Sequence, residues 1–147
     1  MEYMLFLIDM IGTVAFAFSG AMTAIRKEMD ILGVMILGMI TAVGGGIIRD
    51  MILGTLPPQA FQEPVFALSG VLVSAFVFAI FYFHVKGYRQ ISGLWFQQAL
   101  MLADTLGLGV FTVVGVRAAF DNGMGINYFL PVFLGTITGV GGGLLRD

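Results

Sequence analysis

Apolar residues run along this chain in five blocks, separated by short polar breaks. The blocks cover Met4 to Ile25, Ile31 to Leu53, Pro64 to Phe83, Ser92 to Val116 and Tyr128 to Asp147. A membrane-spanning helix needs about 20 mostly apolar residues, and each block meets that length. All five are too long and too rich in glycine for the short alternating strands of a membrane barrel. The pattern predicts an all-α membrane protein with five transmembrane helices. The breaks read RKEMD (26–30), GTLPPQAFQE (54–63), HVKGYRQI (84–91) and RAAFDNGMGIN (117–127). Pro57 and Pro58 suit a loop, because proline has no amide hydrogen and clashes inside a helix.

The basic residues orient the spans. Arg26 and Lys27 lie in the first break, and Lys86 and Arg89 in the third. The second break and the N-terminal tail hold no Lys or Arg, and Arg117 stands at a helix end. Basic residues in short loops mark the cytoplasmic side. The expected arrangement is a multi-pass protein of the cell's inner membrane with its N-terminus outside. Tyr88 lies within the third break and Trp95 just after it, where interfacial aromatics belong. The opening MEYMLFLIDM lacks the basic start of a cleavable signal peptide, so the first span is expected to be retained.

Composition agrees and narrows the function. The 147 residues are 59% hydrophobic and 11% charged, whereas soluble domains carry roughly 25% charged residues. Mean hydropathy is +0.98. There is too little polar surface to cover a water-soluble globule, so the lipid bilayer is the expected surrounding. Net charge is -2, with no basic stripe, which argues against a nucleic-acid partner. The chain has no cysteine and a single histidine, His84. Disulfides and thiolate metal sites are excluded, and no metal or other cofactor is expected. No nucleophile–base pair and no phosphate loop ending in Gly-Lys-Ser/Thr occurs, so no enzyme is expected.

The chain also repeats itself. Asp9, Gly12, Phe16, Gly20 and Ala24 match Asp104, Gly107, Phe111, Gly115 and Ala119 at a constant offset. After a two-residue insertion, TAVGGGIIRD (41–50) matches TGVGGGLLRD (138–147). Three spans separate the start of one copy from the start of the next, and an odd number inverts the orientation. The chain divides into a first three-helix repeat, 1–91, and the first two helices of a second, inverted repeat, 92–147. Inverted repeats are common in transporter folds. A complete second copy would add a sixth helix beyond Asp147.

The doubled motif supplies the candidate site. Glycine costs about 1 kcal/mol relative to alanine in a helix interior. Three in a row, Gly44, Gly45 and Gly46 or Gly141, Gly142 and Gly143, are expected to break the second and fifth spans. Broken backbone in a membrane is tolerated only inside protein or beside a wet cavity. The competing reading is close helix packing through small residues. Arg49 with Asp50, and Arg146 with Asp147, put opposite charges beside each triplet, and Thr41 and Thr138 open the two motifs. An ionised residue at the bilayer centre costs at least ~2.5 kcal/mol, so such residues face the protein interior or pair. Each arginine is expected to pair with an aspartate, either its neighbour or the one on the opposite repeat. A structural salt bridge or snorkelling to the headgroups competes with a polar pathway.

Asp9, Gly12, Phe16, Ser19, Gly20 and Thr23 recur at three- and four-residue steps, so they share one helix face. Asp104, Gly107, Phe111 and Gly115 do the same. For Asp9 a helix cap at the interface is an alternative. Gly70 and Ser74 form a small-xxx-small pair suited to packing or an oligomer contact.

With these residues in view, GMITAVGGGIIRDMILGTLPP and GTITGVGGGLLRD resemble the paired signatures of prokaryotic trimeric intracellular cation (TRIC) channels. The same domain is labelled a glycine-transporter domain in some bacterial relatives. The resemblance covers the whole chain. It implies seven helices in the full protein, two inverted three-helix repeats and a final helix. It implies a homotrimer with one pore in each protomer, passing monovalent cations such as potassium or sodium. The second and fifth helices would kink at the glycine triplets and line that pore. On the channel reading, Asp50 and Asp147 would attract cations beside unwound backbone carbonyls, and Asp9 and Asp104 would also line the ion pathway. A secondary transporter of a small amino acid such as glycine is the alternative, with arginine holding the carboxylate and aspartate the amine.

Overall fold

The computed structural model of the chain describes residues 2–84, 93–123 and 128–147. Among them every regular element is a helix: α1 (Glu2–Arg26), α2 (Ile31–Leu53), α3 (Gln59–Gln62), α4 (Pro64–His84), α5 (Leu94–Asp121) and α6 (Phe129–Arg146). All but the short α3 are long and apolar enough to cross a membrane. The five predicted spans are therefore present: the second keeps its expected bounds, Ile31–Leu53, the third runs one residue further, and the ends of the others shift.

Local chemistry sets those ends. Asp30 caps α2, its carboxylate accepting the Gly33 N–H at 2.8 Å, which satisfies a backbone donor the helix cannot. Gly54 closes α2 at φ 72°, a left-handed turn that glycine adopts without a side-chain clash. Pro64 opens α4, where its missing N–H costs nothing. The predicted fourth break starts too early. The stretch from Arg117 to Asp121 continues α5, and Arg117 donates to Asp121 one turn on at 3.4 Å. The second break is not all loop either, since it contains α3. Lys86, Tyr88, Arg89 and Ser92, used above for orientation and boundaries, lie outside the described residues.

α1 is the central helix and packs on α2, α4 and α5, while α2 and α5 both pack on α6. Ala17, Ala21, Met22, Ala24 and Ile25 of α1 are buried, and Val34, Val77 and Phe96 join part of this core. Small residues make the approach possible. A methyl on Gly38 would overlap the Ser74 hydroxyl, and one on Gly70 would lie 3.2 Å from the Met39 Cα. Gly70 and Ser74 thus join α4 to α2 within one chain, and that is where their small size is used. Large apolar side chains such as Leu72, Phe76 and Leu144 project outward, as a lipid-facing surface requires.

The expected helix breaks are absent. α2 runs unbroken through Gly44, Gly45 and Gly46, and α6 through Gly141, Gly142 and Gly143. The missing side chains serve a close crossing between the two helices. A methyl on Gly45 would overlap the Thr138 carbonyl oxygen, and one on Gly142 would overlap that of Thr41. Gly141 would meet the Gly45 Cα at 3.0 Å. Contact energy gained at this crossing offsets the poor helix propensity of glycine, so neither helix unwinds.

Candidate functional site

The crossing of α2 and α6 is reciprocal. Thr41 lies over Gly142 and Thr138 over Gly45, so the two helices run antiparallel. Gly20 seats Thr41 as Gly115 seats Thr138. The Thr41 hydroxyl donates to Leu37 O and the Thr138 hydroxyl to Leu134 O, each at 2.6 Å. Both threonines are fully buried and serve this packing. Gly44 meets the Leu145 side chain as Gly141 meets that of Ile48. Only the third glycine of each triplet looks into open space: Gly46 has a single neighbour, Arg49 Nη2 at 3.9 Å, and Gly143 has none within 4 Å.

Beyond the crossing lies one cavity on either side. The first, of about 510 Å³, is bordered by Phe16, Gln97, Asp104, Gly143, Arg146 and Asp147. The second, of about 800 Å³, is bordered by Asp9, Arg49, Gln59, Glu63, Arg117 and Asp121. Asp104 and Arg117 both belong to α5, thirteen residues apart, or about 20 Å along the helix axis. The two cavities therefore open toward opposite ends of the bundle.

Each cavity holds one arginine of the doubled motif, nearly buried at 5% and 8% exposure for Arg49 and Arg146. Arg49 Nε donates to Asp50 Oδ1 at 2.8 Å, and Asp50 Oδ2 accepts the Gln59 backbone N–H at 2.8 Å. Arg146 Nε donates to Asp147 Oδ1 at 2.7 Å. Arg146 Nη1 also bonds Asp104 and the Ser19 hydroxyl, and Ser19 donates to Asp104 Oδ1 at 2.7 Å. Both arginines therefore pair with their chain neighbours, one of the two expected arrangements. Neither reaches the motif aspartate of the opposite repeat.

The two ends differ. Asp9 matches Asp104, yet among the described residues its carboxylate makes no ion pair. It borders the same cavity as Arg49 without touching it. Val114 stands at the position matching Ser19 and borders the Arg49 cavity, so no hydroxyl is offered to Arg49 there. Arg146 is thus tied to α1 and α5, and Arg49 only to Asp50. Ser19 and Gln59 complete these clusters. Ser19 belongs to the helix face that the spacing from Asp9 to Thr23 picks out, and the structure gives it a partner in Asp104. Gln59 acts through its backbone and leaves no sequence signal.

Phe16, which borders the first cavity, stacks on Phe111 with ring centroids 5.3 Å apart, and Phe111 borders a small space shared by Asp9, Arg49 and Asp50. No group of three or more His, Cys, Asp and Glu side chains suited to a metal occurs among the described residues.

A bundle of spanning helices with a cavity toward each end, each bordered by an arginine and carboxylates, defines a multi-pass membrane protein. The chain belongs to the glycine transporter family, whose profile matches residues 6–83 and 101–147. It is 39% identical over 140 residues to a UPF0126 membrane protein of Deinococcus radiodurans, covering 95% of this chain and 60% of that protein. It is 37% identical to the UPF0126 inner membrane protein YadS of Escherichia coli K12, covering 95% of this chain and 63% of YadS. The chain thus spans about three-fifths of the length of these relatives. Among solved structures, a prokaryotic TRIC channel in 0.5 M KCl superposes with TM-score 0.88 at 35% identity, over 100% of this chain and 70% of that one. The TRIC trimeric intracellular cation channel orthologue from Rhodobacter sphaeroides superposes with TM-score 0.82 at 35% identity, over 98% of this chain and 69% of that one.

Proposed function

We propose that the protein is a passive channel for monovalent cations, potassium or sodium, working as a homotrimer with one pathway inside each protomer. The carrying observation is the pair of cavities at opposite ends of one bundle, each bordered by a nearly buried arginine that is paired with the aspartate next to it in the chain. The likeness to trimeric intracellular cation channels supports it. The pathway runs along α2 and α6, the second and fifth spans, past the open faces of Gly46 and Gly143. Asp50, Asp147, Asp9 and Asp104 supply the field that attracts cations, and Arg49 and Arg146, each neutralised by its neighbour, guard the two mouths. The reciprocal contacts of α2 and α6 support reading 1–91 as one three-helix repeat and 92–147 as the start of an inverted second. The protein sits in the inner membrane with its N-terminus outside.

A second reading, a secondary transporter of glycine, draws on the same clusters: an arginine beside free carboxylate oxygens suits a zwitterion. The test is a planar-bilayer recording under a potassium gradient. Stepwise current reversing near the potassium equilibrium potential is expected. Saturable glycine flux without such current would replace the channel with the transporter.

A further inference from the structure

Phe16 and Phe111 occupy matching positions of the duplication, at the same offset that relates Asp9 to Asp104. Each lies ten residues before the last residue of its helix, α1 ending at Arg26 and α5 at Asp121. That places both near the middle of the bundle. The rings are 2% and 4% exposed and stack at 5.3 Å with 30° between their planes, within the range of direct aromatic contact. Phe16 borders the Arg146 cavity. Phe111 borders the small space that Asp9, Arg49 and Asp50 share on the other side.

Each ring is seated on a glycine of the other helix. A methyl on Gly107 would approach Phe16 to 2.5 Å, and one on Gly12 would approach Phe111 to 3.2 Å. Gly142 also faces Phe16, its added methyl falling 2.9 Å from the ring. The rings are thus wedged between α1, α5 and α6 with no polar side chain interposed. An ion leaving either charged cluster would have to shed water against two phenyl faces. An apolar constriction of this kind blocks ions by excluding water.

We infer that the Phe16–Phe111 pair is the barrier that separates the two cavities, and that ions cross only when the rings part. The charged residues then set which ions collect at the mouths, and the aromatic pair sets how often one crosses. This rests on the channel reading above. The division of labour follows from the chemistry: the carboxylates can attract a cation but cannot seal a wet path, and the phenyl rings can seal it but cannot choose between ions.

The test is rubidium efflux from liposomes holding the protein, wild type beside Phe16→Ala, Phe111→Ala and the double variant. Efflux is expected to rise severalfold in each single variant and further in the double. Phe16→Leu and Phe111→Leu are run in parallel, because they keep an apolar side chain in the core if alanine prevents assembly. They should give a smaller rise. Wild-type efflux that none of these substitutions changes, in trimers of normal assembly, overturns the barrier and leaves the channel standing. No efflux from wild type or any variant, with glycine uptake intact, overturns the channel reading instead.

Discussion

Replacing Gly45 with alanine separates two roles for the glycine triplets. A methyl there overlaps the Thr138 carbonyl oxygen, and it lies 3.2 Å from that carbonyl carbon and 3.5 Å from the Gly142 nitrogen. All three atoms are backbone of a continuous helix, so none can rotate aside. α2 and α6 must move apart, and overpacking of this kind costs about 1–3 kcal/mol. Alanine offsets part of that, because it gains about 1 kcal/mol over glycine in a helix. The net expectation for Gly45→Ala is a loss of up to about 2 kcal/mol. Gly142→Ala should behave alike, since its methyl overlaps the Thr41 carbonyl oxygen. Gly143→Ala is the control, with nothing within 4 Å of the added methyl. It should gain up to about 1 kcal/mol from helix propensity alone. Thermal melting in mild detergent, followed by far-ultraviolet circular dichroism, reads all three. A Gly45→Ala protein that melts at or above wild type, or in step with Gly143→Ala, would refute the packing argument.

Three further outcomes are expected. Asp50→Asn with Asp147→Asn should lower cation-over-anion permeability; an unchanged reversal potential in a salt gradient, with the protein still folded and assembled, would remove these carboxylates from the proposed pathway. Ser19→Ala should cost about 1.5–3 kcal/mol, the range for a hydrogen bond to a charged group, because the Arg146–Asp104 pair loses its bridging hydroxyl; a melting temperature equal to wild type would show that the bridge adds nothing. A cysteine placed at Gln59 should react with an impermeant maleimide on intact cells, and one at Lys27 should not. The chain has no cysteine of its own, and the reverse pattern would invert the topology.

The five spans were legible because each is one apolar block bounded by charge, proline or glycine. Their ends were less so. The stretch from Arg117 to Asp121 looks like a loop by polarity, yet an arginine and an aspartate four residues apart support a helix. The neighbour pairing of Arg49 with Asp50 was one of two open choices for a geometric reason. Adjacent residues on a helix point about 100° apart, and only the length of the arginine stem lets Nε turn back to Oδ1. The contrast between Ser19 and Val114 was visible as letters but carried no meaning until the helices were placed.

The glycine triplets show most clearly what a sequence withholds. Propensity is a property of one helix, and by that measure Gly44, Gly45 and Gly46 mark a weak point. Packing is a property of two helices, and the same residues let the α2 backbone lie against that of α6. The repeat held the clue, because both members of the crossing carry the same triplet. A motif that meets its own copy in an antiparallel crossing must be self-complementary, so each glycine gap has to receive a backbone from the other copy. Thr138 over Gly45 and Thr41 over Gly142 are that reciprocity. The same relation places Phe16 against Phe111. Matching residues that meet in this way turn one ring into a pair of rings, whereas Arg49 and Arg146 border different cavities and stay apart.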